Sequence, residues 1–268
     1  MTITIHGPED FLKMRAAGKL AAEILNFVTE FVKIGVTTNE LNKLCHDKII
    51  ASGAIPAPLH YKPQGFKNPF PKSICTSVNE VICHGVPNDM PLKNGDIVNI
   101  DVTVILDGWH GDSSRMYFVG TPSIKAKRLV QVTYDCMMFG IEQVRPGACL
   151  GDIGNAIQTH AEKNGFSVVR DYCGHGIGRV FHAEPSVVHY GKKGSGMVLK
   201  EGMFFTIEPM INEGRYEVRR DAKLLNNDVE YEWTIITPDL TNGKRSLSAQ
   251  FEHTIGVTKD GFEIFTMT

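Results

Sequence analysis

An α+β fold, with two pseudo-symmetric helix–strand halves around a central curved antiparallel sheet, is the class this sequence predicts, and three observations carry it. Gly35, Leu41 and Gly53 recur 112 residues later as Gly147, Ile153 and Gly165, around helix-forming stretches. The phrase from Leu92 to Asp101 recurs 107 residues later as Leu199 to Glu208, with Leu, Lys, Gly and Ile in matching places. Asp101 falls on Glu208, and each half offers a second acid, Asp112 and Glu252, in a strand-like run. Two copies are too few for a solenoid, so one domain over 1–268 is expected, with units of roughly 8–120 and 124–265.

The elements follow in order. Pro8 suits the first turn of a helix. Leu20, Ile24, Phe27, Val28 and Phe31 form its core-facing stripe, and Gly35 is its expected stop. Thr37 and Glu40 have capping-box spacing for a second helix, which carries Leu41, Leu44, Cys45 and Ile49 and ends at Ser52-Gly53. Residues 54–72 hold five prolines among His60, Tyr61, Phe66 and Phe70, an irregular loop of the kind that lines pockets. Ile74 to Ile82 reads as strand and Cys83 to Pro87 as turn. A β-branched strand then runs to Leu106, turns at Asp107-Gly108 and returns through Asp112, which sets Asp101 nearly opposite Asp112. In the second unit, Ile124 to Val144 is a helix, and Asp152 caps the next one, which ends at Asn164-Gly165. Glycines flank His175, and Phe181-His182 follows. A charge-rich excursion from about Tyr216 to Pro238 contains Trp233, and 239–248 is a polar turn before Glu252.

Composition bounds the function. The chain is 42% apolar and 22% charged, an ordinary globular balance with enough length for a sizeable core. With 28 Lys and Arg against 30 Asp and Glu the net charge is −2, which gives no electrostatic basis for nucleic-acid or membrane-surface binding. No apolar run reaches the length of a membrane span, and the N-terminus lacks the pattern of a secretory signal. Six cysteines without Cys-x-x-Cys spacing read as free thiols, so a cytoplasmic location is expected.

The chemistry lies in the acids. Two carboxylates facing each other in an apolar hairpin would repel and be costly to desolvate, and a metal ion relieves both problems. Asp112 or Glu252 alone would be an ordinary exposed or salt-bridged acid, and His175 alone is equally a turn histidine. Glu208 is sharper, because Phe204 to Ile207 and Pro209 to Ile211 surround it with apolar residues. A metal-free core paired to Arg115, Arg219 and Arg220 is the plain alternative; the aligned repeat weighs against it. Four carboxylates with one imidazole suit Mn²⁺, Fe²⁺, Co²⁺ or Zn²⁺. They fit two ions about 3.5–4 Å apart, which bring bound water to a pKa of about 7 and supply a hydrolytic nucleophile.

The strings around His84, Asp101 to Asp112, His175 to His182, Glu208 and Ser246 to Glu252 resemble the type I methionine aminopeptidases over nearly the whole chain. The resemblance implies the two-fold pita-bread fold shared with prolidase and creatinase. It also implies removal of the initiator methionine from nascent peptides with a small second residue, by a metal-activated bridging hydroxide. On the same basis Asp101, Asp112, His175, Glu208 and Glu252 are the dinuclear metal ligands, with Asp112 and Glu252 bridging. His182 would steady the carbonyl oxygen and the tetrahedral intermediate. His84 would meet the scissile amide nitrogen, and Glu208 would also shuttle a proton. One ion would hold the free α-amine. The methionine pocket would be walled by Cys75, Phe181, Trp233, Phe70 and Tyr61, because a thioether offers only packing and weak sulfur contacts. A monovalent cation would sit on backbone around Asn79, Val81 and Ser248.

Nascent peptide N-termini are the implied partner, with the ribosome a candidate, and a monomer is expected. The sequence departs from the compact bacterial pattern in a longer loop between Tyr61 and Phe70 and in the excursion around Asp221 to Glu230. Three other readings stand beside this one. An X-Pro-cleaving relative is disfavoured because only a short helical stretch precedes the first unit. A non-catalytic binding protein is disfavoured by the five ligand types and the net charge of −2. A type II enzyme is disfavoured because only 44 residues separate Glu208 from Glu252.

Overall fold

The computed structural model describes residues 3–220, 228–238, 240–241 and 243–267. Most of the excursion expected around Asp221 to Glu230 therefore lies outside the described residues.

In the first half, α1 (Pro8–Val28) and α2 (Thr38–Ala51) precede β1 (Ile55–Pro56), β2 (Cys75–Val78), β3 (Val81–Cys83), β4 (Ile97–Leu106) and β5 (Trp109–Phe118). Pro8 lies in the first turn of α1 as expected. The helix stops well before Gly35, because the Thr29 hydroxyl donates back to Leu25 O at 2.9 Å and Thr29–Phe31 tighten into a 3₁₀ turn. Phe27 and Phe31 consequently pack on each other, 5.2 Å apart and half-buried, while Leu20, Ile24 and Val28 enter the core. The α2 capping box is complete: Glu40 N donates to Thr37 Oγ1 at 3.1 Å, and Thr37 N to Glu40 Oε2 at 2.7 Å. β4 is central, with β1 and β2 on its path and β5 beside it. Val98, Ile100, Val102 and Val104 alternate toward α1 and α2, so Asp101 and Thr103 face the other way.

The hairpin corrects one expectation. Asp101 is opposite Ser114, and Asp112 is opposite Thr103. The two-residue turn, with Asp107 at φ 50 and Gly108 at φ 79, pairs Leu106 with Trp109 and so fixes this register. Asp101 and Asp112 are diagonal neighbours on one face rather than a facing pair.

The second half begins with α3 (Ile124–Ile141) and α4 (Leu150–Lys163). Asp152 does not cap α4 but sits inside its first turn and accepts from Cys149 N at 2.8 Å, so Cys149 holds the cap position. This matches Glu40 and Thr37 112 residues earlier. Gly35 and Gly147 have φ of 90 and 86, and Gly53 and Gly165 have 73 and 78, so the repeat extends to backbone conformation. The strands are β6 (Ser167–Val168), β7 (Gly174–Gly176), β8 (Ala183–Val187), β9 (Phe204–Ile207) and β10 (Met210–Asn212). After α5 (Asp228–Trp233) come β11 (Ile235–Ile236), β12 (Leu240–Thr241), β13 (Lys244–Arg245), β14 (Ser248–Gln250), β15 (His253–Val257) and β16 (Phe262–Ile264). They form a five-stranded sheet in the order β16-β15-β9-β7-β8 and a three-stranded sheet β14-β10-β6. Glu208 lies just past β9 and Glu252 between β14 and β15, so these two acids sit at strand ends rather than within strands.

Each half has its own core. Leu129, Cys136, Ile141, Ile153 and Ile157 meet Phe205, Ile207 and Ile255 under α3 and α4, as α1 and α2 meet β4 in the first half. Glu252 pairs with Ser114 of β5, and β11 pairs with β3, so the two sheets join where their acids are. Within the first half the packing is close: a Cβ on Gly111 would come within 2.3 Å of the Ala17 backbone in α1. Gly111→Ala is expected to lower stability by about 1–3 kcal/mol through overpacking, read as a lower urea midpoint with an unchanged slope. An unshifted midpoint would show that α1 can move away at no cost.

Candidate active site

One cavity of about 490 Å³ lies between the halves and is lined by all twelve residues expected to bind metal or peptide. Asp101, Asp112, His175, Glu208 and Glu252 occupy one end, with His84 and His182 beside them. Tyr61, Phe70, Cys75, Phe181 and Trp233 line the apolar part. Asn79, Val81 and Ser248 lie outside this cavity. Asn79 has φ 53 in the turn from β2 to β3, Val81 opens β3, and Ser248 N donates to Asn79 O at 2.9 Å.

The acid end fits divalent ions. Ligand atoms of Asp112, His175 and Glu252 lie within 4.8 Å of one another. His175 Nε2 is 3.7 Å from Asp112 Oδ2 and 3.7 Å from Glu208 Oε1, too far to hydrogen-bond. Donors held about 2.0–2.2 Å from one ion stand roughly this far apart. His175 Nδ1 is 3.1 Å from Gly176 O; donation there leaves the Nε2 lone pair facing the acids. Asp112 and Glu252 are only 3% and 2% exposed, and Glu252 Oε1 has no hydrogen-bond partner among the described residues. A buried carboxylate oxygen without a partner is costly, and a cation answers it. Arg115, a candidate counter-charge, instead donates to Asn26 Oδ1 at 2.8 Å.

Burial sets the electrostatics. Desolvation raises Asp101 to about 7 and Glu208 to about 8. Asp112 and Glu252 rise well above the usual carboxylate range, first through desolvation and then through repulsion from their acidic neighbours. Burial lowers His175 to about 4, and it lowers His84 to about 4 with help from Arg220. Both imidazoles are therefore neutral at physiological pH. His84 also has a left-handed backbone, φ 53, with its ring edge-on to Tyr172, itself at φ 62. Such conformations cost energy in non-glycine residues and concentrate at functional sites.

The apolar part is a ring of side chains. Phe70, Cys75, Val86 and Trp233 form a buried cluster, with Tyr61 and Phe66 packed against it. Tyr61 also lies 5.1 Å from both Phe181 and His182, and His182 is 4.3 Å from His175. Tyr61 thus connects the apolar wall to the metal end.

Sequence reasoning missed the residues that hold the acids in place. Thr103 Oγ1 donates to Asp112 Oδ1 at 2.7 Å. Thr206 Oγ1 accepts from His175 N at 3.0 Å and donates to Glu208 Oε1 at 2.8 Å, linking two of the candidate ligands. Glu208 N donates to the buried His189 Nε2 at 3.0 Å. Each threonine is two residues from an acid, so strand alternation alone was a signal for them. His189 had no such signal. Phe66 lines the cavity beside the expected wall residues.

The model of metallopeptidase family M24 matches residues 12–259. The methionine aminopeptidase of Rickettsia prowazekii (strain Madrid E) is 67% identical over 268 residues, which is all of this chain and 96% of that one. The crystal structure of methionine aminopeptidase from Rickettsia prowazekii superposes with a TM-score of 0.91 at 66% identity, covering 99% of this chain and 100% of that one. The Thermotoga maritima methionine aminopeptidase structure gives 0.88 at 36% identity, with complete coverage of both chains.

Proposed function

This chain belongs to metallopeptidase family M24 and within it to the methionine aminopeptidases, and from that premise we propose how its residues take the initiator methionine off a nascent peptide. It is a metal-dependent exopeptidase of the pita-bread fold. Four acids and one imidazole at one end of a cavity, with an apolar ring at the other, is the observation that carries the reading.

Asp101, Asp112, His175, Glu208 and Glu252 would hold two divalent ions, drawn from Co, Mn, Fe or Zn. When bound, the ions offset the buried negative charge, polarise the scissile carbonyl and activate water. The chain's own groups do the rest. His182, at the mouth beside His175, donates a hydrogen bond to the carbonyl oxygen as charge develops on it. Neutral His84 meets the amide nitrogen and assists its departure. Glu208, steadied by Thr206, carries a proton between water and the leaving amine. The apolar ring takes the methionine side chain and excludes water. A small second residue is preferred. Backbone oxygens around Asn79, Val81 and Ser248 would hold a monovalent cation, and the approach of Ser248 N to Asn79 O supports that grouping. The enzyme acts as a monomer on peptides leaving the ribosome in the cytoplasm; six free cysteines support a reducing compartment.

The test is a peptide assay on metal-stripped protein, with Co²⁺, Mn²⁺, Fe²⁺ and Zn²⁺ restored separately. Metal-dependent release of Met from Met-Gly-starting peptides, and not from Met-Trp-starting ones, is expected. Cleavage of Ala-Pro-starting peptides alone would move the chain to X-Pro hydrolysis. Stoichiometric metal binding without any cleavage would overturn the catalytic reading.

A further inference from the structure

Two stretches outside the catalytic description meet at the rim of the cavity. The first is the free part of the Pro-rich loop, residues 62–69. Its neck is closed by His60 N donating to Phe70 O and Phe70 N donating to Tyr61 O, both at 2.8 Å. Beyond the neck its side chains are exposed or half-buried. Apart from an internal turn from Phe66 N to Pro63 O, every hydrogen bond this loop makes among the described residues goes to α5. The Glu232 carboxylate accepts three of them: from Lys67 N at 2.5 Å, Asn68 N at 2.8 Å and Asn68 Nδ2 at 3.1 Å. Trp233 Nε1 donates to Asn68 O at 3.2 Å. The N–H of Lys67 first, and then those of Asn68, hold the Glu232 carboxyl below its ordinary range, so it stays ionised at neutral pH.

The far side of this tie is well supported. Directly after α5, Ile235 pairs with Cys83 in β3, and Val86 N donates to Thr234 Oγ1 at 3.4 Å. One planar acceptor therefore clamps two successive backbone N–H groups of an eight-residue loop tip to a supported segment. The clamp places the Phe66 ring 4.4 Å from Trp233, which lies 5.2 Å from Phe70. Phe66 is the half-buried outer member of this group, while Phe70 and Trp233 are 1% and 6% exposed. Releasing the tip would return conformational freedom to the loop and take Phe66 from the wall.

We propose that Glu232 is a specificity-positioning residue: by clasping residues 67–68 to α5 it holds Phe66 against Trp233 and so sets how tightly the pocket closes on the methionine side chain. The inference rests on the methionyl aminopeptidase reading of the cavity. A thioether gains its affinity from apolar contact on every side, and a wall that yields forfeits those contacts. A side chain one methylene longer is rejected only by a wall that holds its place. One of the two stretches that depart from the compact sequence pattern supplies Lys67 and Asn68 to this clasp, and α5 begins within the other, around Asp221 to Glu230.

The metal-loaded Glu232→Ala variant tests this against wild type, on Met-Gly-starting and ethionine-Gly-starting peptides. The KM for the methionine peptide should rise about five- to tenfold with kcat within about threefold, a split that marks lost binding rather than lost chemistry. The preference for methionine over ethionine in kcat/KM should fall about fivefold, within the range one methylene can carry. Metal stoichiometry should be unchanged. Tryptophan emission should move to the red, and a Trp233→Phe background should remove that movement. Glu232→Gln, which keeps one acceptor oxygen but faces the second N–H with a donor, should fall between. Wild-type kinetics, side-chain preference and emission in Glu232→Ala would overturn the clasp. Absence of methionine release by wild type would instead overturn the reading beneath it.

Discussion

Asp112→Asn is expected to abolish tight binding of one of two metal ions and to lower kcat by on the order of 10³-fold or more, since metal ions supply several kcal/mol of transition-state stabilisation. The change is isosteric, and Thr103 Oγ1 can still donate to the remaining oxygen, so the strand register is unaffected. What is lost is a buried negative charge adjoining both His175 and Glu252. Calorimetric titration with Mn²⁺ should show the stoichiometry fall from two ions to one, and an unchanged two-ion stoichiometry would refute the bridging role. The metal-free protein provides a second readout with a defined sign. Asp101 at about 7 and Glu208 at about 8 keep protons in the folded state that the unfolded chain releases near its ordinary carboxylate values of about 4. For these acids the folded state binds more protons, so their contribution to metal-free stability falls as pH rises from about 4 toward 8. The imidazoles of His84 and His175, held neutral in the fold, contribute the opposite sign below their ordinary value of about 6.5, so the fall is read above pH 6. The thermal midpoint of stripped wild type should be lower at pH 8 than at pH 6, and Asp112→Asn should lessen that drop. Added Mn²⁺ should raise the wild-type midpoint more at pH 8 than at pH 6. A stripped protein equally stable at both pH values would mean the acids are compensated without metal.

His182→Ala is expected to keep fold and metal content and to lose on the order of 10²–10³ in kcat, the usual effect of removing one oxyanion donor. His182 is not among the five acid-end ligands, and its ring packs 4.0 Å from Phe181, 4.3 Å from His175 and 5.1 Å from Tyr61. Those contacts aim the imidazole across the cavity mouth without making it part of the core. The loss should fall mainly on kcat, and His182→Gln, which restores a donor, should recover part of it. A near-wild-type kcat in the alanine variant would remove the assigned role.

Much of this molecule was legible before any fold was built. The helices announced themselves through Pro8, the Thr37–Glu40 capping box and apolar periodicity, all of which act within a few residues. The internal repeat was visible because Gly35, Gly53, Gly147 and Gly165 answer a backbone requirement, a positive φ, that composition alone expresses. The acids and His175 stood out because such residues seldom enter apolar strands without cause. Other features depend on how distant segments close on one another. Asp101 and Asp112 are diagonal because the turn geometry, not the acids, chooses the register. Glu252 joins Asp112 through a bridge to Ser114 from the other half of the chain. Thr206 and His189 hold Glu208 by single hydrogen bonds. Glu232 reaches Lys67 and Asn68 across more than 160 residues. Local propensity and periodicity act over a turn or a strand, whereas these contacts exist only after the two cores have packed and fixed the distance between their sheets.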